Sequence, residues 1–392
     1  MKLEKILGFL LFLYLMLSPF YLWSSGLPQI ADLILMIFVI ISIFTIKNIS
    51  KFSKMWIFSL FLIFYVSIVN MIWSIVLSSV IIMPIMFLIY NLLVMLIMTE
   101  KINKNPTFYF NILLKGVASS IFLQFAISMI YVGDRSRVVL FFNNPNQLAF
   151  FVLLMSSVLF IIYRIKKINS TLLITYLLFS SYLMILSVSQ GAIVSFIILI
   201  ILFLIFESHD RRTKFKLGIL TGGVLLAAFF VFSRPGYIQG HNPHLDFLIQ
   251  RVETNSQRNP GGLLSGRGYE RIFNYPEYLV FGAGEGEFWR FDNSIVGLEL
   301  HSTIGSMFFS YGLIGFSIFL LLLCYIIKRS DIKFSYPLIP IFIYGLTHNG
   351  IRQTLFWMIL ALLITINKEN RFSFLNTFNE NQPSKVQWEL QD

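Results

Sequence analysis

The chain of 392 residues is 57% hydrophobic and only 12% charged, and long apolar runs recur from end to end. Runs of that length and number exclude a soluble globular protein and define an all-α, polytopic integral membrane protein. The formal net charge is +11, nucleic acid is not an expected partner, and the single cysteine, Cys324, excludes an internal disulfide and a cysteine-rich metal site.

In chain order, twelve segments are long and apolar enough to span about 30 Å of hydrocarbon. They run approximately over 5–23, 27–46, 55–77, 79–98, 108–132 and 147–163, then 171–187, 191–206, 217–233, 302–327, 336–346 and 351–366. The first ends on bulky Tyr21, Leu22 and Trp23 with no small-residue cleavage site, so it is read as a retained helix. The eleventh is short and interrupted by Pro337 and Pro340, which leaves eleven spans as the alternative. Residues 1–366 then form one membrane domain, and 367–392 form a polar tail without an enzymatic role.

Charge placement predicts the orientation. Seven alternate connections, from Lys2 and Lys5 to Lys368, Arg371 and Lys385, hold 20 of the 30 basic residues and mark the cytoplasmic side, both termini included. Fifteen of the sixteen lysines lie there, and Lys115 lies near the inner end of the fifth span. On the outer side stand nine arginines and no lysine: Arg135, Arg137, Arg234, Arg251, Arg258, Arg267, Arg271, Arg290 and Arg352. A guanidinium offers a planar fork of donors that grips phosphate or carboxylate bidentately and keeps its charge under partial burial. The plain alternative is pairing with the nine outer carboxylates: Asp134, Asp246, Glu253, Glu270, Glu277, Glu285, Glu287, Asp292 and Glu299.

Most outer connections are tight turns, but two are not. One is GDRSRVVLFFNNPN, 133–146; the other is the large outer loop, 234–301, between the ninth and tenth spans. Within that loop, Leu245, Leu248, Ile249 and Val252 predict a short helix at the membrane surface. Ser265 is placed to cap a helix from Gly266 to about Tyr275, on which Arg267 and Arg271 share a face and the N-terminal amides add donors for an anion. The GAGEGEF that follows lacks the spacing and the strand–helix setting of a dinucleotide loop. Gly282, Gly284 and Gly286 are expected to serve close backbone approach or unusual dihedrals in a re-entrant turn.

Three stretches in this order, FFNNPNQLAFF, LSGRGYERIFNYPEYLVFGAGEGEF and ELHSTIGSMFFSYGLIGF, resemble the Wzy-type O-antigen or capsular polysaccharide polymerases and the related O-antigen ligases. The shared pattern is Gly-Arg before an aromatic-rich helix, a proline, a glycine-rich turn, then a histidine at the mouth of the next span followed by Tyr-Gly-x-x-Gly. The resemblance implies a GT-C-like membrane glycosyltransferase that uses no nucleotide sugar, metal or cofactor. Its donor would be an oligosaccharide on undecaprenyl pyrophosphate at the outer face of the bacterial inner membrane, and a chain-length regulator is a further possible partner.

By that resemblance Arg267 is expected to hold the pyrophosphate and His301 to orient or deprotonate the acceptor hydroxyl. The developing charge of the leaving group needs fixed cations, and the outer acidic residues show no metal-ligand spacing, so arginines are the economical choice. Arg271 is added on spacing, and Arg135, Arg137, Arg290, Arg352 and His348 are the further outer groups that could close the same pocket. Asn144, Pro145 and Asn146 match the family's turn before a span, with helix capping by Asn146 as the alternative. One departure stands out: Gln190 in SQGAIVSF occupies the position where relatives commonly carry arginine, so that Arg135, Arg234 or Arg352 compensates or the arginine is dispensable. A polymerase is favoured over a ligase that transfers to lipid A core. A flippase for the same lipid-linked sugar is the reading from another class, opposed by the lack of an internal repeat and of charges within spans beyond Asp32 and Lys115.

Overall fold

The computed structural model describes residues 2–23, 28–46, 53–130, 137–166, 168–206, 218, 267–291, 299–330 and 332–366. Among these residues the chain is helical and contains no strand. The helices are α1 (Lys2–Leu17), α2 (Ile30–Ile43), α3 (Ser53–Val76), α4 (Met83–Lys104), α5 (Pro106–Ile130), α6 (Pro145–Lys166), α7 (Ser170–Ser187) and α8 (Gln190–Phe206). After the large loop come α9 (Glu270–Asn274), α10 (Thr303–Arg329), α11 (Ile332–Ser335), α12 (Leu338–Gly345) and α13 (Thr354–Thr365).

Five helices, α3, α4, α5, α6 and α10, are long and apolar enough to cross a membrane, which makes the chain a helical membrane protein. Helices α2, α7, α8 and α13 are shorter apolar helices, and α1 has 16 residues. The expected eleventh span shortens to the eight residues of α12, because Pro337 starts that helix and Pro340 sits in its first turn, where a missing N–H costs little. The expected twelfth starts three residues late, at Thr354. The ninth lies, Gly218 apart, outside the described residues, as do the surface helix at 245–252 and the tail at 367–392.

Helix starts follow local chemistry. At α6 the Asn144 Oδ1 accepts from the Gln147 N–H at 2.9 Å, Pro145 takes the first helical position, and Gln147 Oε1 accepts from the Asn143 N–H at 3.0 Å. The cap is therefore Asn144 and not Asn146, which is left for another partner. At α10 the Ser302 Oγ accepts from the Gly305 N–H at 3.0 Å. Helix α13 is buried along its whole length, packs on α4, α6 and α10, and forms the centre of the bundle together with the equally covered α6. Helices α1, α2, α5 and α7 surround that centre, and α3 runs antiparallel to α10, with Phe58 beside Tyr325 and Asn70 beside Tyr311.

One span is broken on purpose. Gly312 in α10 adopts φ 61°, ψ −173°, a conformation open essentially to glycine alone. The break frees backbone groups, and the segment after α9 takes them up. The Leu313 and Ile314 N–H groups donate to the Leu279 and Val280 carbonyls at 2.7 and 3.4 Å, while the Ala283 and Gly284 N–H groups donate to the Phe309 and Ser310 carbonyls at 2.9 and 2.8 Å. Gly282, Gly284 and Gly286 all have positive φ, and a Cβ on Gly282 would stand 2.4 Å from the Ser310 oxygen. Gly282 thus serves close backbone approach, Gly284 leaves room for the Trp73 ring, and Gly286 supplies a positive φ alone.

Candidate functional site

The stretch around Arg267 folds differently from the helix expected at 266–275. Gly268 has φ 76°, which interrupts a right-handed helix, so residues 267–269 form a turn and only the five residues of α9 are helical. So short a helix offers little dipole, and Ser265 lies outside the described residues. Any anion site here rests on side chains.

Those side chains converge where α6 and α10 begin and α12 ends. The His301 N–H donates to the Arg267 carbonyl at 3.0 Å, and the Thr303 N–H to the His348 carbonyl at 3.2 Å. The His348 ring stacks on Tyr344, 4.4 Å between centroids and 10° between planes, and its Nδ1 lies 3.0 Å from the Thr347 hydroxyl. The Tyr344 hydroxyl donates to the Asn146 carbonyl at 3.1 Å, while Arg137 donates through Nη2 to Asn146 Oδ1 at 3.0 Å and through Nε to the Ser187 carbonyl at 3.1 Å. The Tyr269 hydroxyl reaches the Ser302 Oγ at 2.6 Å and the Leu346 carbonyl at 2.7 Å. Gly191, next to Gln190 at the start of α8, faces Thr347 and Tyr344. Arg137, Asn146, Arg267 and His348, scattered over the sequence, are thereby gathered around Tyr344, with His301 beside Arg267 and Gly191, the neighbour of Gln190, against the tyrosine ring.

Electrostatics sets these groups apart. The charges of Arg137 and Arg267 both act on the Tyr344 hydroxyl. Burial, with help from the Arg267 and Arg271 charges, holds the His301 imidazole below the usual histidine range, so it is neutral at neutral pH. Arg267 is itself partly buried, and among the described residues no carboxylate pairs with it.

Arg271 is 1% exposed, its guanidinium 5.5 Å from the Phe288 ring centre and 5.4 Å from that of Phe291. Arg290 lies over the other neighbours, 4.6 Å from Phe291 and 4.7 Å from Trp73, and donates to the Ala283 and Gly284 carbonyls. Two cations thus share the Phe291 ring, an arrangement contributing on the order of 1 kcal/mol per contact. Arg271 does not present its fork outward beside Arg267; it acts on His301 through its field.

Among the described residues, Arg352 is the outer-set arginine that follows the plain alternative. Its Nη2 contacts Glu285 Oε2 at 2.6 Å and Glu299 Oε2 at 2.9 Å. Burial opposes its charge, but the two carboxylates outweigh that and hold Arg352 above the usual arginine range. Burial, reinforced by Glu285 and opposed by Arg352, raises the Glu299 carboxyl. Glu285 also accepts from the Tyr311 hydroxyl at 2.6 Å, and its N–H donates to Asn70 Oδ1 at 2.9 Å. Asn70, Trp73, Tyr269 and Tyr344 were not singled out from the sequence, where an amide inside an apolar span was the available signal for Asn70 alone; Tyr311 was named only as part of Tyr-Gly-x-x-Gly. Arg135 lies outside the described residues.

Comparison with protein-family models returns no match, and comparison with curated proteins returns none either.

Proposed function

We propose that this chain is a membrane glycosyltransferase, an O-antigen or capsular repeat-unit polymerase that moves a glycan from undecaprenyl pyrophosphate onto a new lipid-linked repeat. In this reading it has eleven or twelve spans, cytoplasmic termini and an outer-face site in the bacterial inner membrane. The observation that carries the reading is Arg267: a guanidinium without a carboxylate among the described residues, beside a neutral His301, on a chain whose Arg352 has two. The acceptor hydroxyl oxygen attacks the anomeric carbon, the bond from that carbon to the pyrophosphate oxygen breaks, and the hydroxyl proton passes to the His301 ring nitrogen. Arg267 takes the charge that develops on the leaving pyrophosphate, with the fields of Arg271 and Arg137 behind it. Tyr344 and His348 line the approach, and no cofactor is invoked.

Deleting the gene and resolving surface polysaccharide on a gel tests this. The expected result is loss of the ladder with a single repeat still attached to its core. Complete loss of attached repeats would assign the chain to ligation or flipping instead, and an unchanged ladder would overturn all three readings.

A further inference from the structure

The segment stitched into α10 reaches well below the membrane surface. Helix α10 ends on Lys328 and Arg329, and about 20 residues counted back from Ile327 cover the roughly 30 Å of a hydrocarbon core, reaching Met307. Gly312 then lies roughly 8 Å inside the far boundary. The antiparallel α3 gives the same depth by a separate route. Counted from Lys54 at its charged end, Tyr65 stands near mid-core, and its hydroxyl reaches outward to donate to the Phe281 carbonyl at 2.9 Å.

The carbonyl groups of this turn are satisfied as such a depth requires. Every carbonyl from Leu279 to Gly284 accepts a hydrogen bond: from the Leu313 and Ile314 N–H groups, the Tyr65 hydroxyl, the Trp73 indole at 3.0 Å, and Arg290 for the last two. A turn facing water has no need of this, whereas one in hydrocarbon does. The side chains at the tip behave oppositely: Val280 is 50% and Phe281 67% exposed. They adjoin exposed Leu313 and Ile314 of α10, and Phe281 meets α3 at Tyr65, a helix whose Phe61, Phe64, Ile68 and Ile72 are likewise exposed.

We infer that Val280 and Phe281 form a wedge that contacts lipid acyl chains in the leaflet opposite the lysine-bearing ends, pinning the loop that carries Arg267 and Arg290 to the membrane. This holds whatever reaction the site performs. The test uses the full chain in phosphatidylcholine vesicles, with Cys324→Ser removing the native thiol and a nitroxide attached at Phe281→Cys. The label is expected to collide with oxygen several-fold more than with a water-soluble nickel chelate, at a depth between those of labels at Phe64→Cys and Ile75→Cys. Nickel access exceeding oxygen access would overturn the wedge, and low access to both would too, by revealing a protein surface over the tip. Val280→Cys provides a second reading if the Phe281 variant fails to fold.

Discussion

Arg352 and Arg267 stand on the same rim of the molecule, yet their surroundings are opposite. Arg352 is balanced by Glu285 and Glu299, and the hydroxyl of Tyr311 and the amide of Asn70 complete the set around Glu285. Arg267 has around it Tyr269, Tyr344 and a neutral His301. The arginines of this rim are therefore not one population. A compensated, partly buried cation holds structure together, whereas one kept among neutral groups retains its attraction for an anion.

The widest separation between the two regions is expected from Arg-to-Lys exchange. Arg267→Lys keeps the charge and loses the bidentate fork, and should lower polymer formation by about 100- to 1,000-fold while leaving the chain folded. Arg352→Lys, still a point charge between two carboxylates, should stay within about tenfold of the parent. Ladder intensity on the same gels measures both. Equal losses in the two variants would erase the distinction drawn between these arginines.

Next in size is the stitch itself. Gly312→Ala puts a side chain on a backbone with φ 61° and brings a Cβ to 2.3 Å from the Val280 oxygen. Strain of about 1–3 kcal/mol adds to the overlap, so the denaturation midpoint in detergent should fall by several degrees. A parental midpoint would mean that segment 279–284 does not sit in the break.

The two regions also differed in how far they could be read in advance. Five long spans and the shorter apolar helices were legible because apolar runs of bilayer length have few other uses. The glycines of GAGEGEF were legible as a close-approach turn, but their partner was not. That the turn feeds the break at Gly312, 30 positions beyond Gly282, is a tertiary pairing with no local periodicity. Motif order named Arg267 and His301 together, and the His301 N–H does reach the Arg267 carbonyl, whereas the fate of Arg271 was not legible. Spacing of four implies a shared face only on a helix, and Gly268 ends that premise. The two carboxylates on Arg352 lie 67 and 53 positions away, beyond any rule of spacing.

A smaller effect probes the balanced region. Glu285→Gln keeps the shape, and Arg352 retains Glu299, so the loss should be about 1–2 kcal/mol of stability. Glu299→Gln alone should cost less, because that carboxyl is already raised by burial. The double variant should lose more than the sum, since Arg352 is then left without an anion. Additive losses in denaturant titrations would show that the two glutamates do not share one cation.

The smallest effect concerns acidity at the Arg267 region. His301 is held below the ordinary value of 6.5 by burial and by two neighbouring cations. A group with a lowered value stays unprotonated through neutral pH, so transfer should be level there and fall only as pH drops below about 6.5. Removing one cation, as in Arg267→Gln, should move the histidine midpoint upward even where transfer is too slow to follow. Histidine NMR titration of a purified, ring-labelled chain reads that shift directly. The direction is decisive: a midpoint that moved down, or a parental profile already declining above pH 7, would mean that the Arg267 charge is not felt at the His301 ring.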